Sequence, residues 1–164
     1  MAEKNTSLPK EQDGKAYWIE KLGLRPHREG GYFTEVCHSD IPYGSQTLFS
    51  SILFLLGKGD ISHLHVLEED ELWYYQGGEE CEIVEIDATG KLTLVDLGPK
   101  SGLLQHLVKK GTIFGSRLKG ESYTLVGCLV SPSFSYDHFR LLRKEDLPKM
   151  KAEDFQAIEE MLIE

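Results

Sequence analysis

The stretch from Gly57 to Gly78, GKGDISHLHVLEEDELWYYQGG, holds two β-rich runs on either side of an acidic turn. Side chains alternate faces along a strand, so His63 and His65 share one face of the first run. Glu71, Trp73 and Tyr75 share one face of the second by the same rule. With Leu67 to Asp70 as the turn, the two strands are expected to be antiparallel neighbours facing a single cavity. Two imidazoles and a carboxylate so placed match a 2-His-1-carboxylate metal site on His63, His65 and Glu71. They serve equally as acid and base groups for proton transfer. Glu68, Glu69 and Asp70 read as a solvated turn.

Outward from this stretch the pattern is the same. TLFSSILFLL (47–56), EIVEID (82–87), LTLVDL (92–97), TIFGSR (112–117), YTLVGCLV (123–130) and FRLL (139–142) have strand length and β-branched or aromatic enrichment. Glycine-bearing turns separate them, and EIVEIDATGKLTLVDL reads as a hairpin around Gly90. Short, evenly spaced strands predict an antiparallel sandwich or barrel, an all-β fold in the main. Helical patterns occur only at the ends. One runs from Asp13 to Leu22 and stops at Gly23; in the other, Phe155, Ile158 and Leu162 share a face. The expected organisation is a flexible tail over 1–12, a single barrel domain with its N-terminal helix over 13–147, and a C-terminal packing helix over 148–164. No GxGxxG, P-loop or HExxH pattern is present.

The chain has 164 residues, with 18 Lys and Arg against 27 Asp and Glu, a net charge of −9. Such a surface repels phosphate backbones and anionic headgroups, so neither nucleic acid nor membrane is expected as a partner. A few local cations can still dominate inside a cleft. The longest apolar run, Ile52 to Leu56, is far short of the ~20 residues of a membrane span. The N-terminal residues are polar, and the three cysteines, Cys37, Cys81 and Cys128, form no CxxC pair. A soluble, cytoplasmic protein with reduced thiols is the expectation.

Gly57-x5-His63-x-His65-x5-Glu71-x6-Gly78 resembles the first cupin motif, G-x5-HxH-x(3,4)-E-x6-G, with one residue more between His65 and Glu71. The best match to the second motif, PxG-xx-H, is Lys109-Lys110-Gly111-Thr112-Ile113-Phe114, with Phe114 where the histidine stands. Leu24-Arg25-Pro26-His27-Arg28-Glu29-Gly30-Gly31-Tyr32-Phe33-Thr34-Glu35 resembles the PHPEGGYFRE signature of the cupin family catalogued as domain of unknown function 985. ISHLHVLEEDELWYYQGG and SYTLVGCLVSPSFSYDHFRLL resemble it too, and the likeness runs from Leu22 to Leu147. Departures are Arg28 for a typical proline and His38 where arginine is common.

The resemblance implies a double-stranded β-helix, the cupin jelly-roll barrel, paired into a homodimer. It is similar in structure to the metal-free dTDP-sugar 3,5-epimerases and, next, to metal-dependent phosphosugar isomerases. The ligand so implied is a phosphorylated small molecule, a nucleoside diphosphate or nucleotide sugar. Tyr32, Phe33, Trp73, Tyr75, Phe114 and Tyr123 are candidate stackers. Arg25, Arg28, Lys109 and Arg117 are candidate phosphate partners. Glu29 and the glycines after it form a lip of the cavity or a tight lead into a strand. In an epimerase, His63 or His65 abstracts a proton, Tyr75 donates on the opposite side, and Glu71 or Asp137 orients the histidine. Two alternatives stand beside this reading. One is a phosphosugar isomerase or oxygenase with a divalent metal on His63, His65 and Glu71. The other is a non-catalytic binding or structural dimer. No other cofactor is indicated.

Overall fold

Runs of β-branched and aromatic residues form strands, and the polar, glycine-bearing segments between them turn the chain. The computed structural model describes residues 14–164, so the tail expected over 1–12 and the helix start at Asp13 lie outside the described residues. Helix α1 (Gly14–Leu22) comes first. Strands follow as β1 (Arg25–Pro26), β2 (Tyr32–His38), β3 (Pro42–Tyr43), β4 (Gln46–Thr47), β5 (Ser50–Gly57), β6 (Ile61–Leu67) and β7 (Asp70–Gly78). Then come β8 (Cys81–Ile86), β9 (Leu92–Leu97), β10 (Gln105–Val108), β11 (Ile113–Leu118), β12 (Tyr123–Ser131), β13 (Phe139–Leu141) and helix α2 (Ala152–Ile158). The expected hairpin is present, with β8 and β9 paired from Ile86↔Leu92 to Cys81↔Leu97.

Two antiparallel sheets face each other as a jelly roll. One is six-stranded, in the order β1-β2-β5-β12-β7-β10; the other is five-stranded, in the order β13-β6-β11-β8-β9. Inward residues of both, among them Phe54, Trp73, Ile83, Leu97, Phe114 and Val126, make the central core. Outside the five-stranded sheet, α2 and the residues after it bury Ile158 and Met161 against Leu64, Val84 and Ile86. Outside the six-stranded sheet, Trp18 of α1 packs with Leu24, Leu55 and Leu125.

Three expectations about the Gly57–Gly78 stretch need correction. β6 and β7 are not neighbours: β6 pairs with β11 and β13, β7 with β12 and β10. The turn between them crosses from one sheet to the other, so their inward faces oppose each other across the barrel. The turn is also not wholly solvated. Glu69 is buried, where it takes a hydrogen bond from Gln46 Nε2 (2.8 Å) and pairs with His138. Finally, β6 carries a bulge. His65 stands opposite Phe114 and Ser62 opposite Ser116, leaving His63 and Leu64 against the single residue Gly115. An extra residue breaks the two-residue alternation, so His63 and His65 do not share a face.

Candidate active site in the barrel cavity

The turn between β1 and β2 brings the first acid in. Gly30 N donates to His27 O (3.1 Å) and His27 N to Gly31 O (3.0 Å). Gly30 has φ +102°, and a Cβ there would lie 1.9 Å from the Ile61 carbonyl oxygen, so only glycine lets the turn lie on β6. The contact is sealed by His63 N donating to Glu29 O at 2.6 Å. The Glu29 side chain then points inward. One oxygen accepts from Ser62 Oγ at 2.8 Å; the other is 3.4 Å from His65 Nε2 and 3.5 Å from His27 Nδ1. The glycine pair is thus a tight lead into β2, and the cavity lining takes Glu29 before it and Phe33 after it.

His65 is buried, and its Nδ1 lies 2.7 Å from the carbonyl oxygen of His63. A carbonyl only accepts, so Nδ1 carries a proton, while Nε2 lies 3.4 Å from a Glu29 oxygen. The ring packs at a tilt against Phe114 (4.2 Å between centroids) and Phe139 (5.2 Å), which hold it in place. On the opposing sheet, Glu71 is buried beside Cys128. Burial, reinforced by the Glu29 charge, pushes its carboxyl up to about 8, and neither the Cys128 thiol nor the Trp73 indole N–H reverses that. Cys128 is itself pushed well above the usual thiol range by burial and then by Glu71, so it is no nucleophile. These groups close the bottom of a cavity of about 470 Å³. Its mouth carries Arg25, Glu35, His38, Ser45 and Tyr136, all exposed.

The sequence profile of the family described as cupin superfamily (DUF985) matches residues 16–142. The chain belongs to this cupin family. A crystal structure of a Shewanella oneidensis protein is 37% identical over 92% of this chain and 98% of that one, with a TM-score of 0.85. A hypothetical protein from Leishmania major is 30% identical over 92% of this chain and 99% of its own, with a TM-score of 0.80. A variant of Bacillus subtilis oxalate decarboxylase matches 71% of this chain and 29% of that one at 21% identity and a TM-score of 0.55, a likeness of fold alone. No curated protein matches the sequence.

Of the candidates read from the sequence, this cupin brings Arg25, Glu29, Phe33, His65 and Glu71 together around the cavity. The bulge carries His63 to the outer side, where its Nδ1 lies 3.2 Å from Met161 O. The expected metal set of His63, His65 and Glu71 is therefore not assembled, and among the described residues no group of three or more His, Cys, Asp or Glu is disposed to hold a metal. Trp73 and Phe114 are core residues behind the cavity wall, 6.4 Å apart between centroids. Tyr75 lies further along β7 and donates to Gly78 O at 2.7 Å, outside the cavity lining. Tyr32 and Tyr123 pack on the outer face under α1. Lys109 is exposed, 4.0 Å from Asp70, at the start of the turn that leads into β11. Arg117 joins Glu82 (2.8 Å) to Glu160 (3.1 Å) and so holds the C-terminal segment to β8. Arg28 stacks over the Tyr136 ring at 4.1 Å. Asp137 does not orient a histidine in the cavity; its neighbour His138 pairs with Glu69 and Glu68.

The sequence reading missed His27, Gln46, Cys128 and Tyr136 as cavity residues. His27 sits among Phe33 (4.7 Å), Phe54 (6.2 Å) and Phe139 (6.1 Å), and burial lowers its pKa. A signal for it existed, since His27 precedes Glu29 by two residues in the same glycine-bounded turn. Gln46 and Tyr136 carried none, because they come from a two-residue strand and a single 3-10 turn.

Proposed function

We propose that the cavity binds a phosphorylated carbonyl compound, a nucleotide sugar or sugar phosphate, and moves a proton on it as a sugar epimerase or isomerase does. The observation that carries this reading is His65. Its Nδ1 is pinned by a backbone carbonyl, and its Nε2 faces the cavity 3.4 Å from Glu29. In that position Nε2 takes a proton from the carbon α to a carbonyl, and Glu29 stabilises the imidazolium that forms. The C–H electron pair moves to the carbonyl oxygen as an enolate. Glu71, neutral at pH 7 and set on the opposing sheet, returns a proton to the same carbon from the other side. Inversion at carbon needs an acid and a base on opposite faces, which two opposed sheets supply. Of the candidate phosphate cations only Arg25 lines the mouth, where its guanidinium lies 4.9 Å over the Phe33 ring.

The test is incubation in D2O with carbonyl-bearing nucleotide sugars and with fructose 6-phosphate, reading deuterium at the α carbon by NMR. Wild-type exchange that falls about 100-fold or more in His65→Ala supports the reading. Binding without exchange contradicts the catalytic part, leaving a binding protein; neither binding nor exchange contradicts the whole.

The same reading includes a homodimer. Among the described residues, the outer edge of β2 is paired only at Tyr32 and Phe33, by β1, and is open from Thr34 to His38. Val36, Ile41 and Tyr43 beside it are 58–59% exposed. An open edge flanked by apolar side chains suits a second copy. Light scattering is expected to give twice the chain mass, and the chain mass for Val36→Lys.

No helix among the described residues is long and apolar enough to cross a membrane.

A further inference from the structure

We infer that Gln46 determines specificity at the cavity mouth by accepting a hydrogen bond from the ligand, and that the buried Glu69 positions it. This rests on the cavity being a ligand site. Gln46 lies on β4 and lines the cavity. Its Nε2 donates to Glu69 Oε1 at 2.8 Å and to Ser133 O at 2.6 Å. Both partners are acceptors, so the amide nitrogen must face them and cannot exchange places with the oxygen. Among the described residues no donor reaches Oε1, which leaves it as the side chain's uncommitted polar atom. A fixed, unpaired acceptor in a cavity wall selects a ligand O–H or N–H and rejects an analogue that lacks it.

The burial of Glu69 serves two contacts, to Gln46 and to His138. Its Oε1 is shared by Gln46 and His138, while among the described residues Oε2 has no partner. A buried carboxylate oxygen without a partner costs stability, and an apolar residue would serve the turn better. What the carboxylate does supply is the orientation of Gln46. It also ties down the segment from Ser133 to His138 that carries Phe134 and Tyr136 into the cavity wall.

Calorimetric titration of the full chain with UDP, UDP-glucose and fructose 6-phosphate tests this. Gln46→Met keeps the length of the side chain but removes the acceptor, and should weaken binding about three- to tenfold. Loss with UDP and UDP-glucose alike puts the donor on the nucleotide; loss with the sugar-bearing ligands alone puts it on the sugar. Glu69→Leu should weaken binding at least as much as Gln46→Met does, since it also releases the segment from Ser133 to His138, and adding Gln46→Met to it should cost no more. Glu69→Gln still accepts from Gln46 and should retain wild-type affinity, which also covers the case in which Glu69→Leu fails to fold. Wild-type affinity of Gln46→Met for every ligand that binds, or additive losses in the double variant, would overturn the inference. No binding of any of the three to the wild type contradicts the functional reading itself, and the subsite with it.

Discussion

The space between the two sheets is filled in one part and hollow in another. In the filled part Trp73, Ile83, Leu97, Val108 and Phe114 interlock with no charged side chain among them. In the hollow part Glu29, His65 and Glu71 are also withdrawn from water, with Glu29 beside His65 and Glu71 beside Cys128. Burial of apolar area makes the first stabilising in itself. Burial of two acids makes the second costly, since carboxyl groups lose more on leaving water than they regain here. A fold keeps such groups in a cavity when they act on something that enters it. The filled part therefore reads as the source of stability and the hollow part as the place of chemistry.

Substitutions that exchange these roles test the contrast. Trp73→Ala, in the filled part, should cost about 3–5 kcal/mol, measured by urea unfolding. A small loss of stability with a large loss of ligand binding would instead move Trp73 into the site.

Glu71→Gln, in the hollow part, should change the pH dependence of stability. The folded carboxyl titrates at about 8 and an unfolded one at about 4.5, so between those values the native state holds a proton that the unfolded chain has released. Stability then falls as pH rises through this window, on the order of 3 kcal/mol between pH 5 and pH 8. Gln carries no titrating proton, so this component of the slope should vanish in the variant. An unchanged slope would mean that Glu71 is ionised in the native cavity.

His63→Ala has the smallest expected effect. It removes a hydrogen bond to Met161 O, worth about 1 kcal/mol, and should leave affinity for any cavity ligand unaltered.

Much of this architecture was legible in the chain. Strand lengths, glycine turns and the Leu24–Glu35 signature led to the barrel, and Glu29, His65 and Glu71 were among the candidates. The bulge was not legible, because period-two reasoning assumes an unbroken ladder and nothing in ISHLHV marks an inserted residue. That one residue removed His63 from the cavity and with it the metal reading. Trp73, Phe114, Tyr32 and Tyr123 were misassigned for another reason. An aromatic on a strand fits a core and a binding wall equally well until the sheet order is known. Glu69 looked solvated because it stands in a run of four acids, Glu68 to Glu71, and such runs usually face water. Its partners, Gln46 and His138, come from segments 23 and 69 residues away.

The most direct test of the account is the pair His63→Ala and His65→Ala, compared for binding and for solvent-deuterium exchange with the same carbonyl-bearing nucleotide sugars and fructose 6-phosphate. The account predicts that His63→Ala matches the wild type in both, while His65→Ala loses exchange about 100-fold or more. Equal loss in the two variants would contradict it, because it would return both histidines to one face of β6.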